Sequence, residues 1–136
     1  MSAITLPPYA RLLGIRIDEQ LPADDNPAPR LVMAAGRQLQ GWPGVLHGGA
    51  TAGLLEMAAR AAIDATLAAR GHHLPAKPIG LTIDYTRAGQ METTYARGRV
   101  IRVGARVATV VVEAWQEAGK PIASARLHML ISAAES

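Results

Sequence analysis

Apolar residues along the chain fall into two regimes. Between residues 48 and 70 they are mostly Ala, Leu, Met and Gly, interrupted by Glu56, Arg60 and Asp64 at i, i+4 and i+8. That spacing predicts one long helix from Gly48 to Arg70, with Gly71 as the residue that ends it. At 1.5 Å per residue it would span roughly 33 Å. Small side chains make its surface smooth, which suits a central helix that other structure wraps closely. From Lys77 onward the pattern is that of strands. Lys77–Thr86, Thr93–Val103, Ala105–Gln116 and Pro121–Ile131 are separated by Ala88-Gly89-Gln90, Gly104 and Glu117-Ala118-Gly119-Lys120, and the last three runs predict an antiparallel meander. Along Ala105–Gln116, Val107 and Val111 share one face while Ala108, Val110 and Val112 share the other. A sheet apolar on both sides needs two covers. The helix is one, and another subunit is the expected second.

Upstream, Pro7 and Pro8 open a short helical turn through Leu13 that stops at Gly14. Ile15–Glu19 alternates like a short strand and Arg30–Arg37 reads as a second. Leu21–Pro29, rich in Pro, Asp and Asn, is a loop inside the domain, and Gly41-Trp42-Pro43-Gly44 breaks the chain before the helix. With 136 residues, 49% hydrophobic and 18% charged, the expectation is a single folded domain over residues 1–136 rather than two domains or a disordered chain. The absence of Cys excludes a disulfide framework, a thiolate metal site and a Cys nucleophile. A net charge of +3 with scattered arginines, 4% aromatics and no Phe argues against a nucleic-acid partner. Residues 1–10 lack the basic start and apolar centre of a secretory signal, and charges interrupt the most apolar helix, so no membrane segment and a cytoplasmic location are expected.

The strongest chemical signal is Gly44-Val45-Leu46-His47-Gly48-Gly49 running straight into the helix, with Glu56 nine residues after His47. Glycines at a helix start leave backbone N–H groups unobstructed, and the helix dipole adds positive potential there. A developing oxyanion can sit on such donors, with Glu56 as nucleophile or general base. The plainer reading makes Glu56, Arg60 and Asp64 a solvated ladder of ion pairs and the glycines a loop closure. Spacing alone leaves both open.

The His-Gly-Gly turn, the acid nine positions on, the segment Leu81-Thr82-Ile83-Asp84-Tyr85-Thr86-Arg87 and the hairpins containing Val100-Ile101-Arg102-Val103-Gly104 together resemble the hotdog-fold acyl-CoA thioesterases of the PaaI-like, phenylacetate-degradation type, over roughly Ile15 to Ile131. The resemblance implies an α+β fold, an antiparallel sheet wrapped around one long central helix. It implies subunits joined edge to edge in a homodimer, often a dimer of dimers giving a homotetramer, with active sites at the dimer interface. Glu56 then matches the catalytic carboxylate, which attacks the thioester carbonyl or activates water. Gly48 matches the residue whose N–H polarises that carbonyl, Gly49 allows close approach, and His47 supports the loop and the substrate. Neither metal nor redox cofactor is implied, since coenzyme A enters as part of the substrate. The sequence departs from the family at Gly41, where many relatives carry Asn or Gln; Gln40 would substitute if the loop were shifted. Arg60 stands one turn after the acid, where some relatives have Thr, and a pairing with Glu56 would hold that carboxylate ionised.

Other residues carry two readings each. Arg87, Arg102 and Arg106 flank turns and are either contacts for coenzyme A phosphates or solvated surface. Trp42 and Met57 either line the acyl pocket or pack in the core. His72-His73 is a loop pair rather than a metal site, His128 a packing or surface residue, and Asp84 and Tyr85 stand near the implied cleft, Tyr85 being equally suited to the core. The function that follows is hydrolysis of an acyl- or aryl-CoA thioester to the free acid and CoA. Its rivals are a hotdog hydratase or dehydratase and a non-catalytic acyl-CoA-binding protein.

Overall fold

A computed structural model describes residues 4–20 and 22–132. Residues 1–3 of the stretch read for a signal, and Leu21 at the head of the expected loop, lie outside the described residues. The elements in chain order are α1 (Pro8–Leu12), β1 (Ile15–Ile17), β2 (Leu31–Met33), a single 3₁₀ turn (Arg37–Leu39), α2 (Gly48–Ala69), β3 (Ala76–Tyr85), β4 (Thr94–Val103), β5 (Val107–Glu117) and β6 (Lys120–Ile131). The six strands form one antiparallel sheet in the order β1-β2-β4-β5-β6-β3. The meander of β4, β5 and β6 stands as expected, and β3 lies outside β6 at the sheet edge.

Helix α2 ends as its Gly71 predicts. Gly71 has φ +77°, its N–H donates to Ala68 O at 3.0 Å, and His72 N–H reaches back to Leu67 O at 2.9 Å. This is the paired closure that a left-handed residue after a helix makes possible. Strand β2 is shorter than the expected Arg30–Arg37. Past Met33 the chain reaches Gly36, and Arg37–Leu39 coils into a 3₁₀ turn closed by Leu39 N–H on Gly36 O at 2.9 Å. Strand β1 likewise stops at Ile17, and beyond it Asp18 turns to accept from Arg30 Nε at 2.7 Å.

The core lies between α2 and the inner face of the sheet, where Leu54, Leu55, Ala58, Ala59, Ala62 and Ile63 meet Ala96, Val110, Val112, Ala114, Leu127 and Met129. The approach is closest at Gly98, where a Cβ would come 3.0 Å from Ala62 Cβ and 3.1 Å from Ala58 O. The Ala-rich surface of α2 therefore acts as foreseen, letting the sheet close down on it. The outer face is different. Val107 and Val111 are half-buried there, alternating with the exposed Glu113 on β5 and flanked by exposed Arg99 and Arg126 on the neighbouring strands. Within one chain the described residues cover this face only at one side, where Arg97 of β4 donates to Asp24 and to Asn26 O.

Candidate active site

His47 is the N-cap of α2. Its Nδ1 accepts from Gly49 N–H at 2.8 Å, which fixes the neutral tautomer with the proton on Nε2. Its own N–H donates to Leu39 O at 2.8 Å, tying the turn to the 3₁₀ segment. Gly49 is required by this cap, because a Cβ there would lie 2.9 Å from the imidazole Cε1 and Nδ1. Ala50 and Thr51 N–H both turn back to His47 O, at 3.0 and 3.2 Å. Of the first-turn amides, Gly48 N–H is thus the one without a described protein acceptor, at the positive end of a 22-residue helix.

Gly48 also stands between two cavities. One, about 400 Å³, is lined by Val45, Leu46, Thr51, Tyr85 and Arg87 among others. The other, about 600 Å³, is lined by Gln40, Trp42 and His47. Trp42 is 83% exposed, so it is not core, and the Trp42-Pro43-Gly44 turn holds its indole beside the helix start. Gln40 shares that cavity wall, but its Oε1 is engaged by Gly44 N–H at 2.8 Å. Gly41 bonds through its own N–H to Val45 O at 2.8 Å, and a side chain there would begin 3.2 Å from His47 Cα.

Two turns into the helix, Glu56 lies half-buried on the one stripe of α2 that the sheet leaves uncovered, with Ala52, Arg60 and Asp64. The expected pairing of Arg60 with Glu56 does not form. Arg60 Nη1 instead donates to Ala76 O at 3.0 Å, and no ion pair joins the two residues. The reason is position: where α2 passes the start of β3, a backbone carbonyl is within reach of the guanidinium. The ladder reading fails with it, since neither neighbour bridges to Arg60. Asp64 is pushed above the ordinary carboxylate pKa by burial, against the pull of Arg60 and His73.

The remaining expected residues are dispersed. Met57 is 1% exposed and packs in the core. Arg87 reaches the Gly48 region, whereas Arg102 and Arg106 flank the β4–β5 turn at the opposite end of the strands from Ile122, which lines the smaller Gly48 cavity. Asp84 faces a groove of about 640 Å³ on the outer side of the sheet, together with Arg99, Glu113, Trp115 and Arg126. His128 is also on that face, within 3.1 Å of Thr109 Oγ1. His72 and His73 line a fourth recess with Asp64, and no group of three metal-ligating side chains forms among the described residues. Tyr85, at 55% exposed, is not core. Its hydroxyl donates to Gly48 O at 2.9 Å, a contact that only its place at the end of a strand bordering the cleft hinted at.

A family model described as the acyl-CoA thioesterase N-terminal domain matches residues 39–130. No curated protein matches the chain. Among solved structures, a phenylacetic acid degradation-related protein from Ralstonia eutropha shares 25% identity with a TM-score of 0.77, covering 93% of this chain and 92% of that one. The PaaI protein from the Escherichia coli phenylacetic acid degradation operon shares 23% identity with a TM-score of 0.77, over 93% and 85%. A thioesterase from Haemophilus influenzae shares 20% identity with a TM-score of 0.79, over 92% and 82%. The six-stranded antiparallel sheet around one long helix is the hotdog fold of these structures.

Proposed function

Because the chain belongs to the acyl-CoA thioesterase N-terminal domain family, we propose that it hydrolyses an acyl- or aryl-CoA thioester to the free acid and CoA. The observation that carries this reading is Gly48 N–H, an uncommitted amide at a helix start set between two cavities. The thioester carbonyl oxygen accepts from it. The CoA arm leaves on the Arg87 side, where a cation awaits phosphate, and the acyl arm on the Trp42 side. Glu56 takes a proton from water as the water oxygen bonds to the carbonyl carbon. The negative charge that develops on the carbonyl oxygen is held at Gly48. As the carbonyl reforms, the C–S bond breaks, and the thiolate takes the proton from Glu56. An alkyl thiol has a pKa of about 8.5, so it departs without a strong acid or a metal.

Glu56 stands eight positions after Gly48, about 12 Å along the helix axis. A glutamate side chain does not span that distance, so the two groups of one chain cannot meet on one carbonyl. The reading therefore takes Gly48 from one chain and Glu56 from a second copy. Strand β3 supports such a pairing, since one edge is unpaired and Ile79 (56%), Leu81 (47%) and Tyr85 (55%) are exposed along it. On the outer face, Arg99 and Arg126 beside Asp84 and Glu113 offer a second, self-complementary surface through which such dimers would join into a tetramer.

The test is turnover of purified protein on short-chain, medium-chain and aryl-CoA substrates. Glu56→Gln is expected to lower kcat by about 10²-fold or more, and unchanged hydrolysis removes Glu56 from the mechanism. One observation favours a non-catalytic acyl-CoA binder: Gly41 provides no carboxamide, and Gln40 Oε1 is committed to the loop. Tight CoA binding by calorimetry, with no turnover across the panel, would select that reading instead.

A further inference from the structure

Two glycines stand in succession at the start of α2, and helix termini lack the internal hydrogen bonds that hold the middle. The ties to His47 Nδ1 and His47 O are local, all made within one turn of the chain. One side chain from the sheet reaches Gly48 directly. Tyr85, the last residue of β3, donates its hydroxyl to Gly48 O at 2.9 Å, and its ring lies 3.5 Å from the point where a Gly48 Cβ would stand. The neighbouring Thr86 anchors the same corner by donating Oγ1–H to Pro121 O at 2.8 Å. Tyr85 is 55% exposed, so the ring is not held in place by burial in the core.

We infer that Tyr85 is a positioning residue: it pins the Gly48–Gly49 peptide to the end of β3 and, through the shared Gly48 Cα, limits the swing of the preceding peptide that carries the Gly48 N–H. The inference rests on the thioesterase reading, where that amide is the oxyanion donor. A donor that is already oriented stabilises the developing charge without rearranging at the moment of reaction. Freed of its anchor, the glycine pair samples other orientations, and the cost falls on the transition state more than on substrate binding.

Tyr85→Phe keeps the ring and deletes the hydroxyl. It is expected to lower kcat roughly threefold to tenfold, the range of one neutral hydrogen bond, while KM stays within about twofold of wild type. Amide exchange by NMR is expected to quicken at Gly49–Thr51, whose N–H groups are hydrogen-bonded, and to stay unchanged in β5 and β6, which a general loss of stability would not produce. An active wild type whose Tyr85→Phe variant is equally fast overturns the positioning role. A wild type with no turnover on any thioester overturns the thioesterase reading, and unaltered exchange at Gly49–Thr51 overturns the anchor itself.

Discussion

Asp64 shares the uncovered stripe of α2 with Glu56, and its environment sets a pH dependence of its own. Burial raises its pKa above the ordinary 3.8, so the folded chain keeps this proton to higher pH than the unfolded chain does. Stability from this group therefore falls as pH rises from 3.8 toward the raised value, and the deficit is complete above it. Asp64→Asn is expected to melt at a higher temperature than wild type at pH 7, with the gap closing below about pH 3.8; equal melting temperatures at neutral pH would contradict this. Asp24 works in the other direction. Two Arg97 hydrogen bonds, at 2.6 and 2.9 Å, hold its pKa down to about 2, so that contribution is present at neutral pH and is lost as pH falls from the ordinary 3.8 through about 2. At this scale the sequence was legible where a role is local. The helix start at Gly48 was legible because its cap, Gly49 N–H on His47 Nδ1, closes within three residues. Tyr85 and Arg60 were not legible, since each is placed by an element far away in the chain.

At the scale of elements, period and punctuation carried the reading. Gly71 stops α2, Gly119 turns β5 into β6, and the long strands lie within a residue or two of expectation. The short strands β1 and β2 were overdrawn: past Ile17 the Asp18 side chain is drawn onto Arg30, and past Met33 the chain reaches Gly36 and coils into the Arg37–Leu39 turn. Strand order was out of reach, since β3 pairs with β6 rather than with its neighbour in sequence, and no local pattern encodes that. Packing between elements turns on Gly98, the residue of β4 against Ala58 and Ala62 of α2. Gly98→Ala puts a methyl group 3.0 Å from another methyl. It is expected to destabilise the fold by about 1–3 kcal/mol, read as a lower midpoint in urea unfolding.

For the whole molecule, the unpaired edge of β3 and the gap between Gly48 and Glu56 are the two features on which the proposed pairing with a second chain rests. Light scattering of the purified protein at micromolar concentration is expected to find a dimer or larger, and Leu81→Lys on β3 to shift it toward monomer with loss of turnover. A wild type that is monomeric yet fully active would defeat the shared-site arrangement. None of the exposed residues Ile79, Leu81 and Tyr85 signals this singly, because the open edge exists only once β3 is paired on one side with β6. Tyr85 stands on that border and on Gly48 at once. Specific activity should therefore decline on dilution, and rate plotted against protein should curve upward where an enzyme of independent subunits gives a straight line.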